Sequence, residues 1–199
     1  MLEARDLECE RGGRILFQNL SLRLSSGDLL RIAGPNGSGK TSLLRILCGL
    51  LTPTAGEVRW KNTPIGSLKE EYSREIVYLG HAPAVKDELT ARENLEAGCA
   101  LAGLAVAADA IRGALVEFSI PEKPLRQLSQ GQRRRAALAR LRLSASVPLW
   151  LLDEPFAALD AGAAELTKGL IREQVERGGA VVYTTHQDAG LRDSRVLEL

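Results

Sequence analysis

Apolar residues along this chain recur at two periods, and the switches between them mark out its elements. Residues Ser21 to Leu24 alternate polar and apolar, as a half-buried strand does. Asp28 to Ala33 is a short apolar run that ends in a glycine-rich stretch. Leu43, Leu44, Ile46, Leu47 and Leu50 then fall at i, i+1, i+3, i+4 and i+7, the stripe of an amphipathic helix. The turn-rich residues 52–56 (TPTAG) should stop it. Glu57 to Lys61 and Ile76 to Leu79 read as strands. Residues from about 90 to 145 lose the β-branched signal and become rich in Ala, Leu and Arg, which predicts several helices in a lobe of their own. Strand patterns return at Pro148 to Asp153 and Ala180 to Thr185, with a helix from Ala161 to Arg177 between them and a short edge strand at Arg195 to Leu199. Strands alternating with helices predict an α/β fold with a mostly parallel sheet, into which the helical stretch is inserted.

The glycine-rich stretch carries the first chemistry. Gly34-Pro35-Asn36-Gly37-Ser38-Gly39-Lys40-Thr41 fits the P-loop pattern G-x-x-x-x-G-K-[ST], and it lies after a strand and before a helix, as the mechanism requires. Glycines let the backbone bend around a phosphate without Cβ clashes. The freed N–H groups and the helix N-terminus attract the anion. Lys40 adds a point charge for the β and γ oxygens, the Thr41 hydroxyl is a ligand for Mg²⁺, and Ser42 follows on the same turn. Asp153 and Glu154 close an apolar strand, which puts one acid in reach of a metal and a second beside an attacking water. A nucleoside triphosphatase with an Mg²⁺ cofactor is the reading these residues give.

Further segments narrow it. Leu128-Ser129-Gln130-Gly131-Gln132, followed by RRRAALARL, resembles the signature motif of ATP-binding cassette (ABC) proteins; Pro155 to Asp160 resembles their D-loop, and Thr184-Thr185-His186 their switch histidine. The resemblance covers essentially the whole chain. It implies ATP as the nucleotide, Glu154 as general base, His186 at the γ-phosphate and Asp160 as a link between sites. It also implies N-terminal antiparallel strands, an ATP-binding core of residues 1–86 and 144–199, and a helical subdomain of residues 87–143 bearing the signature. Ser129, Gly131 and Gln132 would face the nucleotide of a second ATP-binding subunit, so that a head-to-tail homodimer holds two ATP molecules. The chain departs from the general pattern twice. Arg11-Gly12-Gly13 stands where an aromatic normally stacks on adenine, which leaves the Arg11 guanidinium plane for that task. His81 replaces the glutamine of the Q-loop, offering a ring nitrogen to the metal and water in place of an amide oxygen.

The Gly80-His81 pair, with the N-terminal MLEARDLECER, GEVRW and LDEPFAALD, is similar to one ABC subfamily, the ATPase subunits of cytochrome c maturation. That resemblance implies a peripheral ATPase on the cytoplasmic face of the bacterial inner membrane. Its turnover would drive haem export or release of a haem-loaded periplasmic chaperone, with integral membrane subunits docking near residues 82–89. The rival readings are another ABC exporter ATPase acting on lipid or drug, a soluble ABC ATPase acting on ribosomes or DNA, and a non-hydrolysing nucleotide-gated scaffold. Glu154 argues against the last.

Composition removes several of these partners. Basic and acidic residues nearly cancel, at 26 against 25, and aromatics are scarce, so nucleic acid is not an expected partner. Arg133, Arg134, Arg135, Arg140 and Arg142 are accordingly read as a solvated helix face with local ion pairs. The odd, scattered cysteines Cys9, Cys48 and Cys99 suggest no disulfide framework and fit a reducing cytosol. The uncharged stretch from Ala97 to Ala108 is too short to span a bilayer, which takes about 18 apolar residues or more. With one methionine, two histidines and no CxxCH, direct haem binding is not expected.

Overall fold

Alternation within the short apolar runs decides the layering. The computed structural model describes residues 1–185, 189–191 and 194–199. Five strands, β3 (Leu29–Ala33), β6 (Ile76–Leu79), β7 (Leu149–Leu152), β8 (Ala180–Thr184) and β9 (Arg195–Glu198), form a parallel sheet in the order β6-β7-β8-β3-β9. In β7, Leu149 and Leu151 enter the core on one face, while Trp150 and Leu152 enter the core on the other. Val182 and Val181 divide in the same way in β8. A strand buried on both faces reads as an unbroken apolar run, and LWLL is one.

One face of this sheet is covered by α1 (Lys40–Leu47) and a second, antiparallel sheet, whose strands run in the order β2-β1-β4-β5. These are β1 (Leu2–Arg11), β2 (Arg14–Leu24), β4 (Ala55–Trp60) and β5 (Thr63–Pro64). The short helices α2 (Ile65–Leu68) and α3 (Glu70–Arg74) follow, and the Tyr72 hydroxyl donates to the Leu47 carbonyl at 2.6 Å, tying α3 to the end of α1. The other face is covered by α4 (Ala91–Leu101), α5 (Ala108–Glu117), α6 (Gln130–Leu143) and α7 (Ala161–Glu176). Their buried Leu95, Leu115, Leu138 and Leu170 share one continuous core with Val77, Trp150 and Tyr183 of the sheet.

The expected α/β fold with a parallel sheet, antiparallel N-terminal strands and inserted helices is therefore present. Three expectations are corrected. The first strand pair is much longer than Ser21 to Leu24: β1 spans the charged N-terminus, its alternation of Leu2 and Ala4 broken before Leu7 and Cys9 by a register shift where Asp6 adopts φ 47°. Gly56 makes room for that bulge, since a Cβ there would collide with the Arg5 and Asp6 carbonyls. The helix after the glycines ends at Leu47, and Leu50, which fits its stripe, is 68% exposed beyond it. The turn-rich stretch is shorter than residues 52–56, because β4 has begun by Ala55.

Candidate functional site

The loop between β3 and α1 has the conformation its glycines permit. Gly34, Gly37 and Gly39 lie at φ 141°, 81° and 107°, where a side chain is strained. At Gly34 a Cβ would also stand 2.6 Å from the Leu199 carbonyl oxygen and 2.8 Å from Ser38 Oγ. Above the loop lies a depression of about 340 Å³, lined by Leu16, Asn36, Gly37, Gly39, Lys40, Thr41, Ser42, His81, Asp153 and Glu154. Nine of these ten are residues that the sequence singled out. Lys40 is buried and its ammonium donates to the carbonyls of Gly34 and Pro35, at 2.8 and 2.9 Å.

The acids are oriented from below. Parallel pairing of β7 with β8 sets Leu152 beside Tyr183, so Asp153 comes beside Thr184. Asp153 is 1% exposed and accepts from Thr41 Oγ1 at Oδ2 and from Thr184 Oγ1 at Oδ1, both at 2.8 Å. Thr184 Oγ1 also accepts from the Glu154 amide at 2.9 Å. Glu154 itself adopts φ 49°, a left-handed turn that few non-glycine residues take and that often marks a functional position. A hydroxyl and a carboxylate side by side are hard oxygen donors, the set Mg²⁺ prefers. No cluster of three or more His, Cys, Asp or Glu occurs among the described residues.

The remaining candidates lie elsewhere. Ser129 caps α6 through a reciprocal box: the Ser129 amide donates to Gln132 Oε1 at 2.9 Å, and the Gln132 amide donates to Ser129 Oγ at 3.2 Å. Gly131 packs on the D-loop, and a Cβ there would approach the Ala158 carbonyl oxygen to 3.0 Å. Asp160 caps α7 at the Ala163 amide and pairs with Arg135 at 3.5 Å, joining the D-loop to the signature helix. Arg11 is exposed on a hairpin whose Gly12 and Gly13 both take positive φ, and it does not line the depression. His186 lies outside the described residues.

Arg134 corrects the reading of the signature-helix arginines as a solvated face. It is 5% exposed. Its Nη1 donates to the carbonyls of Gly80 (2.8 Å) and His81 (3.2 Å), and its Nη2 to those of Asp153 (2.8 Å) and Glu154 (2.7 Å). Burial pushes the guanidinium below its ordinary value, while the charges of Asp153 and Glu154 oppose the shift. One side chain thus staples the signature helix to the Q-loop and to the strand end that bears both acids. Arg133, Arg135 and Arg142 do form the ion pairs expected of them, with Asp87, with Asp160, and with Glu117 and Glu173.

Sequence reasoning gave three contributors no part in the phosphate site: Arg134, Thr184 and Leu16. Thr184 was signalled by its place at a strand end next to the acids. Arg134 carried no such signal, because a run of arginines on a helix reads as surface. Leu16 forms the depression's apolar wall, and with Phe17 it packs on Gly39.

A P-loop under a parallel sheet, with the acids of the neighbouring strand bonded to its threonine and a serine-capped helix beyond them, defines an ATP-binding cassette. The chain belongs to the ABC transporter family, whose profile matches residues 17–157. Among curated proteins it is 54% identical over 192 residues to the cytochrome c biogenesis ATP-binding export protein CcmA of Aromatoleum aromaticum, covering 95% of this chain and 90% of that one. It is 46% identical over 202 residues to the CcmA of Pseudomonas aeruginosa, covering 100% and 99%. These similarities put it among the CcmA-type ATP-binding proteins. Among solved structures it is similar to a dimeric ATP-binding cassette in a post-hydrolysis state bound to ADP and Pi. That match has a TM-score of 0.86 and 27% identity, and covers 100% of this chain and 94% of the other.

Proposed function

We propose that this chain is the ATP-hydrolysing subunit of a membrane-bound export complex for cytochrome c biogenesis, working as a homodimer that holds two ATP molecules. The observation that carries the reading is Asp153, held by Thr41 and Thr184 beneath the P-loop with Glu154 next to it. The triphosphate lies in the depression along Asn36, Gly37 and Gly39. Lys40 leaves the loop carbonyls for the β and γ oxygens. Thr41 and Asp153 would hold Mg²⁺, with His81 near it, and the bound ion spreads the negative charge of the phosphates. Glu154 takes a proton from the attacking water as general base. Ser129, Gly131 and Gln132 of the second copy close the site over the γ-phosphate with a helix N-terminus, which favours anions. Asp160, bonded to both α7 and Arg135, links the D-loop of one site to the signature helix that serves the other. His186 contacts the γ-phosphate.

No helix among the described residues is long and apolar enough to cross a membrane; in this reading separate integral subunits hold the chain at the cytoplasmic face of the inner membrane. They dock at residues 82–89. Within that segment Lys86 to Leu89 is pinned, by Asn94 on both sides of Lys86 and by the amides of Leu125 and Arg126 on the Leu89 and Asp87 carbonyls. Ala82 and Ala84 stay exposed beside a cavity, which leaves Ala82–Val85 as the contact. ATP turnover is coupled there to haem export, or to release of a haem-loaded chaperone on the far side, without haem binding to this chain.

The test is genetic and biochemical together. In a strain lacking the chain, the wild type should restore c-type cytochromes and Glu154→Gln should not. Ala84→Glu and Val85→Asp should keep ATP binding and lose maturation. Co-purification of ribosomes or DNA in place of membrane subunits would overturn the assignment.

A further inference from the structure

Behind the Q-loop, between it and the helices α4 and α6, lies a cavity of about 190 Å³. Its apolar walls are small: Ala82, Pro83, Val85, Leu95, Ala136 and Ala137. Its charged lining among the described residues is cationic, with Arg45, Arg134 and Arg140 beside the polar Tyr78, His81 and Asn94, and with no aspartate or glutamate. Two of these cations are already engaged. Arg134 spends its terminal nitrogens on four carbonyls, though its Nε is buried without a partner. Arg45 acts on the Tyr78 hydroxyl, pulling its pKa down against the upward push of burial.

Arg140 differs from every other arginine of its helix. Arg133, Arg135 and Arg142 each have a carboxylate, and Arg134 has its carbonyls. Arg140 makes no ion pair or hydrogen bond with any described residue, and its Nε is shut off from solvent. Burial pushes its guanidinium below the ordinary value, opposed only by the distant pull of the Cys99 thiol. A half-buried cation with no counter-charge among the described residues is unfavourable, and an arriving anion relieves it. The volume decides what kind of anion. Pockets for drug-sized ligands run to about 300–1,000 Å³, so this one has room for one or two side chains and not for a small-molecule substrate. Its exposed Ala82 and Ala84 continue the wall outward, as a peptide occupant needs.

We propose that Arg140 receives an aspartate or glutamate side chain, carried on a short apolar segment of the membrane partner that packs on Ala82–Val85. The inference rests on the docking reading given above and adds the chemistry of the docked segment. Charge complementarity then selects the partner, and the small apolar walls supply the fit.

The test uses the tagged chain purified with its membrane subunits in mild detergent. Arg140→Met should cut their recovery by roughly 30-fold or more, the size expected when one member of a buried charge pair is removed. Arg140→Lys should keep most of it. In the isolated chain Arg140→Met should leave ATPase activity unchanged and Tm equal or higher, because it removes a charge that has no partner among the described residues. Replacing one particular carboxylate of the partner's cytoplasmic segments by its amide should reproduce the loss. A charge swap, Arg140→Glu against an arginine at that partner position, should restore assembly. Full recovery with Arg140→Met while Ala84→Glu loses it would overturn the carboxylate proposal and leave the docking reading standing. Full recovery with both would overturn the two together. A lowered Tm for isolated Arg140→Met, or no single partner carboxylate that matters, would also overturn the proposal.

Discussion

Asp153 receives hydroxyl hydrogen bonds from two other elements of its own chain, whereas the Ser129 side chain is engaged by a residue of its own helix. The phosphate depression is therefore wired from within: α1, β7 and β8 each contribute a residue, and Arg134 locks the strand end from behind. The signature helix is shaped but has no such web above it. Its cap is satisfied locally by Gln132, and its glycine leans on the Ala158 carbonyl. A site whose groups are held by long-range contacts is preorganised in a single chain. A capped helix start with small residues favours anions. The comparison teaches that the phosphate depression is preorganised within one chain, whereas the signature helix, in the homodimer proposed above, is completed only by a second copy's nucleotide.

Substitutions at four positions break or sharpen that contrast. The largest effect belongs to Glu154→Gln, which should lower kcat by about 100-fold or more while ATP binding survives, as expected for loss of a general base; single-turnover kinetics with filter binding measures both. Arg134→Met removes a buried cation from four carbonyls and should destabilise the chain by roughly 3 kcal/mol, read as a lower urea midpoint. Arg134→Lys should recover part of that loss, since an ammonium reaches fewer of the carbonyls. Thr184→Val strips the hydroxyl between Asp153 and the Glu154 amide, and a cost of about 1–2 kcal/mol with a reduced kcat is expected. Ser129→Ala should cost only about 1 kcal/mol of cap stability. It should leave nucleotide affinity of the isolated monomer unchanged and yet reduce turnover, a split that the depression's own residues would not produce.

Much of this was legible in the sequence, for identifiable reasons. The P-loop, the acids after β7 and the signature are local motifs whose spacing is set by one turn or one strand end, so they could be read without tertiary contacts. The central parallel strands β3, β7 and β8 were legible because both faces are buried and the runs are largely unbroken. What stayed hidden depends on distant partners. The bulge at Asp6 shifts the alternation of β1 by one place, and only Gly56, fifty residues on, shows why it is tolerated. Leu50 fits the stripe of α1 but lies past its end, since periodicity does not report where a helix stops. Arg134 and Arg140 sit on one arginine-rich helix, and no local rule separates the staple, or the cation with no partner among the described residues, from the ion-paired, half-buried arginines beside them.

Sedimentation of the Glu154→Gln chain saturated with ATP tests the shared-nucleotide claim most directly. The account predicts twice the monomer mass with ATP, a return to monomer with ADP, and no dimer when Ser129→Glu is added to the same chain. A monomer at saturating ATP, or a dimer indifferent to a charge at position 129, would contradict it.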